Sequence, residues 1–325
     1  MDRIERALEL AETAKTPEDA EASVQELRRL LVVYGVAEED AGAAAKLQPT
    51  PQQESQQKSR GNPAGQEQHL SQRARAWKLL LGVRKLDAEH YVELVRRGEH
   101  PRLGAKIRND TFRTFKNCKA FEDVVPEARI VRVLNAFVHS YRQDEFTYVQ
   151  GMNVICGVLL YVMPELDAFF CFDALITKLV PAYMSKNLDG VSEGCALFEE
   201  CLRALDPQLA DYLIDKMRAS TQVYAFAPIM TLSACCPPLD SILHLWDIYF
   251  AAGVHLNIIF YASQMMLLRY ELMDETNEMA KQYVSGRDFP QMDASRLIAV
   301  AFPFLFKLDP DLVKRLRAHA RGNQA

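Results

Sequence analysis

The sequence predicts an all-α fold with helices of irregular length, and several observations support this prediction. Apolar residues recur at helical spacing along most of the chain, alternating strand patterns are scarce, and no repeat of fixed period appears. With 325 residues, of which 49% are apolar and 25% charged, the chain is long enough to build a substantial core.

The first part of the chain, residues 1–47, is predicted to form a helical N-terminal extension. Ile4, Leu8 and later leucines recur at the spacing of one helix face. Thr16 followed by Pro17 is typical of a helix start, because proline lacks the N–H that a first helical residue would leave unpaired.

A change in composition follows the extension. Residues 48–70 are rich in Gln, Ser, Pro, Gly and Glu and contain few apolar side chains. Such a segment cannot bury enough apolar surface to offset its chain entropy, so it is predicted to be a flexible linker. The main folded domain is therefore expected to begin near Ser71 and to occupy residues 71–325.

This domain is predicted to contain helix after helix. One helix, at 152–163, is apolar nearly all round, as expected of a buried central helix. Loops are predicted at 187–190 and 285–288, where turn-forming residues cluster. The predicted helices are 127–142, 152–163, 167–180, 192–205, 207–218, 239–251, 256–273, 293–306 and 310–320.

Composition argues against several protein classes. The net charge of −5 disfavours a nucleic-acid binder, which normally carries a basic excess. The 7 cysteines include no C-x-x-C pair, which disfavours a disulfide framework or a zinc module. The N-terminus lacks the apolar core of a signal peptide, and no uncharged apolar stretch is long enough to span a bilayer. We therefore expect a reduced, cytoplasmic protein with no nucleic-acid partner and no transmembrane segment.

No self-contained active site emerges from the sequence. Neither G-x-x-x-x-G-K-[ST] nor G-x-G-x-x-G occurs, so nothing indicates that the chain binds a nucleotide itself. His139 and Cys156 lack a recognisable nucleophile turn and an orienting carboxylate. His244 and Asp247 share a helix face, but two further metal ligands are not in view. The structural interpretation is favoured, in which His244 is a packed or surface side chain and Asp247 pairs or caps locally.

Two short strings instead offer polar side chains suited to a phosphate. Ile-Arg-Asn-Asp-Thr-Phe-Arg ends in Arg113, and Tyr-Val-Gln-Gly-Met-Asn contains Gln150. In GTP hydrolysis an arginine supplied in trans neutralises charge on the phosphoryl oxygens, and a glutamine orients the attacking water. For either residue alone the ordinary interpretation is favoured, with Arg113 on a helix surface and Gln150 capping the helix that begins near Gly151. When both strings are considered together, the functional interpretation gains weight over the ordinary one.

Short motifs that include both strings occur in a definite order along the chain. The residues are Trp77; Ile107, Asp110 and Arg113 of I-x-x-D-x-x-R; Tyr148, Gln150 and Gly151 of Y-x-Q-G; and Trp246 with Asp247. Together they resemble the TBC domain, a family of GTPase-activating proteins that act mainly on Rab-type small GTPases. The similarity covers residues 71–285.

The resemblance implies a role for the central residues. Arg113 is expected to be the arginine finger, and Gln150 the glutamine finger that stands in for the GTPase's own glutamine. Asp110, one helical turn before Arg113, would orient the guanidinium. Tyr148 and Gly151 would shape the turn that presents Gln150.

Five further residues are expected to support the site: Ile107, Asn153, Trp77, Trp246 and Asp247. By the same resemblance, GTP and Mg²⁺ would be held by the partner, a Ras-like or Rab-like small GTPase in its GTP state. The chain is therefore expected to need no cofactor or metal of its own. It would be an activator rather than an enzyme with its own substrate turnover.

Three segments, 106–114, 132–137 and 148–154, are closer still to the fungal mitotic-exit and septation checkpoint GTPase-activating proteins. This resemblance implies a Ras-like GTPase as substrate, a scaffold partner in a two-component activator, and a location at the spindle pole body. Val154 stands where many Rab-directed members carry Asp, and Lys116 where they often carry Pro. These departures weaken a general Rab specificity.

Two alternatives stay open at this point. In the first alternative, the chain is a conventional Rab-directed activator of membrane traffic, which differs from the checkpoint activator only in its substrate. The other alternative is a non-catalytic module that docks a GTPase or a scaffold without accelerating hydrolysis. Intact fingers argue against the docking module, because such a module has no chemical need for either side chain.

Overall fold

The computed structural model describes residues 2–36, 70–116, 118–142, 146–185 and 187–322. This part of the chain contains helices, turns and loops but no β-strand, which confirms the predicted all-α class. The α-helices are α1 Arg3–Thr13, α2 Pro17–Tyr34, α3 Gln72–Leu80, α4 Ala88–Arg96, α5 Gly104–Thr111, α6 Lys119–Glu122, α7 Glu127–Ser140, α8 Met152–Val162, α9 Glu165–Ala174, α10 Asp189–Leu205, α11 Pro207–Ala210, α12 Thr221–Tyr224, α13 Phe226–Met230, α14 Leu239–Ala252, α15 Leu256–Leu267, α16 Arg269–Met273, α17 Glu278–Val284, α18 Ala294–Leu305 and α19 Pro310–Ala318.

The N-terminal helices α1 and α2 pack against each other and against the main domain, with α2 lying on α14. The predicted start of α2 is confirmed, since the Thr16 hydroxyl accepts a hydrogen bond from the Asp19 N–H at 3.1 Å. Arg28 Nη1 donates to the carbonyl of Ala251 at 2.8 Å, which satisfies one of the unpaired carbonyls at the end of α14. The predicted linker at 48–70 lies outside the described residues except for its last position.

The core is organised around α8, whose side chains are almost all buried, as predicted for a central apolar helix. α7 and α9 pack against α8, and α5 contacts both α7 and α8. This arrangement brings the C-terminal end of α5 close to the N-terminal end of α8, where the two predicted fingers lie.

Several predicted helices change before they end. The helix predicted over 167–180 becomes a π-helix at Leu175–Leu179, and the one predicted over 207–218 becomes a π-helix at Asp211–Lys216. A single predicted helix is also split near Leu268 into α15 and α16. A wider turn stays helical while it rotates the side chains that follow, so the spacing of apolar residues does not reveal it.

The loop predicted at 187–190 is partly wrong, because α10 already begins at Asp189. Gly190 lies inside this helix, where an added Cβ would come within 2.6 Å of the Cβ of Ala182. The glycine therefore serves close packing rather than a turn. The loop predicted at 285–288 is confirmed, since α17 ends just before it.

Candidate functional site

The strings that carry Arg113 and Gln150 come together in the structure. α5 ends at Thr111, and Arg113 lies in the turns that follow it. Gln150 lies in the turn that leads into α8. Because α5 packs on α8, side chains from the two segments reach one another and form a small polar cluster.

One buried carboxylate, Asp110, contacts residues of both strings. Its Oδ1 accepts a hydrogen bond from Arg113 Nη2 at 2.8 Å, and its Oδ2 accepts one from the Tyr148 hydroxyl at 3.0 Å. The Asp110 side chain is 7% exposed, whereas the Arg113 side chain is 64% exposed. The carboxylate therefore fixes one end of the guanidinium and leaves the rest in solvent.

Tyr148 is held in its protonated, donating form by its surroundings. Burial, together with the neighbouring charge of Asp110 and the hydrogen bond to it, raises the pKa of the Tyr148 hydroxyl well above its usual range. The ammonium of Lys106 also lies 5.6 Å from the centre of the Tyr148 ring, within the range of a cation–π contact. Tyr148 thus anchors the second string to α5.

Asn153 forms a second link between the two segments. Its Nδ2 donates to the carbonyl of Asp110 at 3.2 Å and to the hydroxyl of Thr114 at 2.9 Å. Its Oδ1 accepts a hydrogen bond from the N–H of Gly151 at 3.0 Å. A single amide side chain therefore ties the turn after α5 to the turn before α8.

Gln150 is exposed, and the glycine that follows it explains its position. Gly151 has a φ of 108°, a conformation that side-chain-bearing residues rarely adopt, and it is the N-cap residue of α8. A Cβ at Gly151 would lie only 3.3 Å from Met230 Cε and Thr231 Cγ2. The backbone therefore turns sharply against its neighbours and points Gln150 outward, while Gln150 is not itself the cap.

The remaining predicted site residues lie in the interior. Ile107 is fully buried on α5 and fixes that helix to the core. Trp77, Trp246 and Asp247 form a separate buried cluster between α3 and α14, where the two tryptophan rings lie 5.6 Å apart. Asp247 accepts hydrogen bonds there from Trp77 Nε1 at 2.8 Å and from the guanidinium of Arg73.

Residues 70–273 match the family model of the Rab-GTPase-TBC domain. The chain belongs to this family. The predicted site residues, from Trp77 to Asp247, lie within this matched region, whereas α1 and α2 lie outside it.

Individual proteins are similar to this chain over most of its length. A Dictyostelium discoideum protein whose name includes "mitotic check point protein BUB2" is 38% identical over 249 residues, which span 77% of this chain and 66% of that protein. The Schizosaccharomyces pombe "Cell division control protein 16" is 36% identical over 256 residues, with 78% and 83% of the two chains covered. The solved Ypt/Rab-GAP domain of Gyp1p has the same fold, with a TM-score of 0.59 at 14% identity over 72% of this chain and 87% of its own.

The structure corrects the expectation that Asp247 pairs locally. Its partner is Arg73, 174 positions away in the sequence, with Arg73 Nε and Nη2 each 3.0 Å from a carboxylate oxygen. Arg73 was missed as a partner because no pattern around it in the sequence indicates a contact with a residue so far along the chain. Among the described residues, no group of three or more His, Cys, Asp or Glu side chains could hold a metal.

His139 and Cys156, which the sequence disfavoured as a nucleophilic pair, do not form one in the structure. Burial raises the pKa of the Cys156 thiol well above its usual range, so the reactive thiolate does not form near neutral pH. His139 instead places Nε2 3.2 Å from the carbonyl of Gly98. Within the described ranges, no helix combines the length and the apolar character needed to cross a membrane.

Proposed function

We propose that this chain is a GTPase-activating protein that supplies Arg113 and Gln150 in trans to a Ras-like or Rab-like small GTPase in its GTP state. The TBC family itself implies a small GTPase as the partner. In the proposed mechanism the GTPase holds GTP and Mg²⁺, and this chain contributes positioning and charge stabilisation without a cofactor of its own. The chain is thus an activator, and hydrolysis takes place on its partner.

The shared carboxylate of Asp110 is the observation that carries the proposal. It joins Arg113 directly, and it joins the turn of Gln150 through Tyr148. Two exposed side chains, far apart in sequence, are therefore presented from one buried polar cluster. A pre-positioned pair of this kind is what phosphoryl transfer requires, since its catalysis depends on fixed charges and fixed water.

The chemistry of each side chain fits its proposed role. Arg113 is permanently charged, and its exposed guanidinium retains N–H groups that can fork onto phosphoryl oxygens. The carboxamide of Gln150 can accept a hydrogen bond from the attacking water while it donates one to a neighbouring oxygen. Neither role requires a change in protonation.

The names of the relatives favour a role in cell-division control. Both the mitotic check point name and the cell division control name belong to chains that match most of this one. We therefore place the proposed activity in mitotic-exit or septation checkpoint control, with a scaffold subunit as second partner. The proposed location is cytoplasmic, at the spindle pole body.

The test is single-turnover GTP hydrolysis by a mitotic-exit Ras-like GTPase and by a Rab panel, each with and without the candidate scaffold. Removing a trans arginine costs about 10³- to 10⁵-fold in rate, so Arg113→Ala should abolish most of the stimulation. Gln150→Ala should do the same, because the attacking water is no longer oriented. Arg96→Ala, an exposed arginine on α4, is the matched control and should retain full stimulation.

Other results would contradict the proposed mechanism or assign the protein to one of the alternatives. Stimulation at the wild-type level in both finger variants would contradict the mechanism. Binding of a GTP-loaded GTPase without any stimulation would indicate a docking module. Stimulation of a Rab alone would indicate an activator of membrane traffic, while a requirement for the scaffold would support the checkpoint assignment.

A further inference from the structure

A small cleft lies beside Arg113 and takes no part in the proposed chemistry. Thr111 and Phe112, the two residues that precede Arg113, form one side of it. Its remaining walls come from the turn after α5, from α6 and α7 and from the turn between them, and they are apolar and polar in equal number. We call this feature the finger cleft; Phe112, Phe121, Val125, Pro126 and Ile130 form its apolar part, and Glu122 and Glu127 line its polar edge.

The lip of the finger cleft is an exposed aromatic ring. Phe112 is 58% exposed, although Phe121, Val125 and Ile130 behind it are buried. The ammonium of Lys116 lies 4.2 Å from the centre of the Phe112 ring, a cation–π contact that holds the ring at the surface. Exposed aromatic rings next to an apolar recess are typical of the anchoring positions of protein interfaces.

A buried hydroxyl in the same cleft has no partner. Thr111 is 1% exposed, and its Oγ1 makes no hydrogen bond within the described structure. Buried polar atoms are nearly always paired in native proteins, and an unpaired one is unfavourable. A ligand that reaches this covered oxygen through a small movement of the cleft wall and offers a hydrogen-bonding group would remove this deficit.

The size of the cleft limits what can occupy it. Its volume is about 230 Å³, below the range of about 300–1,000 Å³ that is typical of small-molecule and cofactor sites. A nucleotide is therefore too large, whereas one amino-acid side chain fits. The cleft shares its wall with the turn that carries Arg113, so it lies beside any chain that the Arg113 guanidinium contacts.

We infer that the finger cleft receives one apolar side chain of the GTPase, ending in a hydrogen-bonding group that pairs with the Thr111 hydroxyl. This inference rests on the proposed function. Docking there would fix the turn after α5 against the GTPase and so position Arg113. It would also select among GTPases by whether they carry such a side chain, which makes Phe112 and Thr111 specificity-determining rather than catalytic residues.

The test separates binding from chemistry. Single-turnover hydrolysis is measured across a range of concentrations of the full chain, which gives a half-saturating concentration and a plateau rate. Phe112→Ala removes the lip and should raise the half-saturating concentration about tenfold, with little change in the plateau. Phe112→Leu should recover most of the affinity. Phe306→Ala removes a ring that is 91% exposed elsewhere and should change neither value.

Thr111→Val gives an independent measurement. If the hydroxyl pairs with the GTPase, this variant raises the half-saturating concentration several-fold while its thermal unfolding temperature stays the same or rises. An unchanged half-saturating concentration in both Phe112→Ala and Thr111→Val would overturn the inference. A fall in the plateau alone would do so as well, because it would indicate damage to the finger instead of lost docking.

Arg113→Ala, measured in the same series, keeps this inference apart from the proposed function. Loss of the plateau in Arg113→Ala, with the half-saturating concentration unchanged in both Phe112→Ala and Thr111→Val, would overturn the finger-cleft inference and leave the finger mechanism standing. Wild-type stimulation in Arg113→Ala would overturn the proposed function instead. If the wild-type chain binds no GTPase loaded with a non-hydrolysable GTP analogue, both are overturned.

Discussion

Two arginine–aspartate pairs in this protein consist of the same chemical groups in opposite settings. In the Arg73–Asp247 pair both side chains are buried, at 4% and 0% exposure, and the residues are 174 positions apart. In the Arg113–Asp110 pair the residues are one helical turn apart, the carboxylate is 7% exposed and the guanidinium 64% exposed. The first pair joins α3 to α14, and the second leaves a charge at the surface.

The difference shows how one interaction type either joins two helices in the interior or holds a charge at the surface. Asp247 receives two guanidinium nitrogens and the indole N–H of Trp77, so its charge is compensated entirely from within the fold. Asp110 holds Arg113 through one nitrogen, which orients the guanidinium without enclosing it. A buried pair is destabilising to break, whereas an exposed pair adds little to stability and keeps its charge available.

The largest expected effect on stability comes from breaking the buried pair. Asp247→Ala leaves the Arg73 charge buried and Trp77 Nε1 without an acceptor, which should lower the free energy of unfolding by about 3–5 kcal/mol. Arg113→Ala should change it by less than about 0.5 kcal/mol, as for an ordinary surface substitution. Urea unfolding followed by circular dichroism measures both values, and Asp247→Asn serves if the alanine variant does not fold. Equal losses in the two variants would remove the distinction between the pairs.

Acid should destabilise the folded protein through His319, a buried side chain outside the two arginine–aspartate pairs. Burial lowers the pKa of His319 to about 4 from an ordinary value of 6.5. Its Nδ1 lies 2.6 Å from the Leu316 carbonyl, which can only accept, so Nε2 is the acceptor for the Tyr183 hydroxyl at 2.7 Å. Between pH 6.5 and pH 4, His319 is protonated in the unfolded chain but neutral in the folded chain. The free energy of unfolding therefore falls by about 3 kcal/mol as the pH is lowered to 4.

The measurement is the pH dependence of urea unfolding in wild type and His319→Gln. Between pH 7 and pH 4.5 the variant should lose less stability than the wild type, because it lacks the group that titrates. Identical slopes would show that His319 contributes nothing to the acid sensitivity. The comparison uses slopes only, since the substitution also changes packing at neutral pH.

A smaller effect on stability is expected at Asp110, the carboxylate that joins Arg113 to the turn of Gln150. Asp110→Asn keeps an oxygen for the Tyr148 hydroxyl but loses the charge that holds Arg113, so the free energy of unfolding should fall by about 1 kcal/mol. Stimulation of GTP hydrolysis should fall by about 10²-fold, because a misplaced finger acts less well on the transition state. Parallel unfolding and single-turnover assays measure the two losses. A loss of stability with full stimulation would show that Asp110 acts only within the fold.

The fold class and the main helices were predictable from the sequence because apolar spacing directly reflects burial. The central helix α8 is an example, since its nearly continuous apolar run can only be accommodated in the core. The π-helices at Leu175–Leu179 and Asp211–Lys216 were not predictable, because a single wide turn alters the register without altering the composition. The start of α10 was missed because Gly190 signals a turn, whereas it serves contact with Ala182.

For the candidate site, the sequence predicted a set of residues but not the hydrogen bonds between them. Arg113 and Gln150 were recognised from their strings, and their roles remain predictions. The bonds from Asp110 to Tyr148 and from Asn153 to Thr114 depend on how α5 meets α8, which no local pattern specifies. The Arg73 contact to Asp247 is a still longer-range feature of the same kind.

The most direct test of the central claim is the affinity of wild type and Arg113→Ala for a small GTPase loaded with GDP and aluminium fluoride. This complex mimics the phosphoryl group in the transition state, which is where we propose that Arg113 acts. We predict that wild type binds it at least about 10²-fold tighter than the GTPase loaded with GDP alone. Arg113→Ala should lose most of this gain while keeping its affinity for the GTPase loaded with a GTP analogue. Equal affinity of both proteins for the aluminium fluoride complex would contradict a role for Arg113 as a finger supplied in trans.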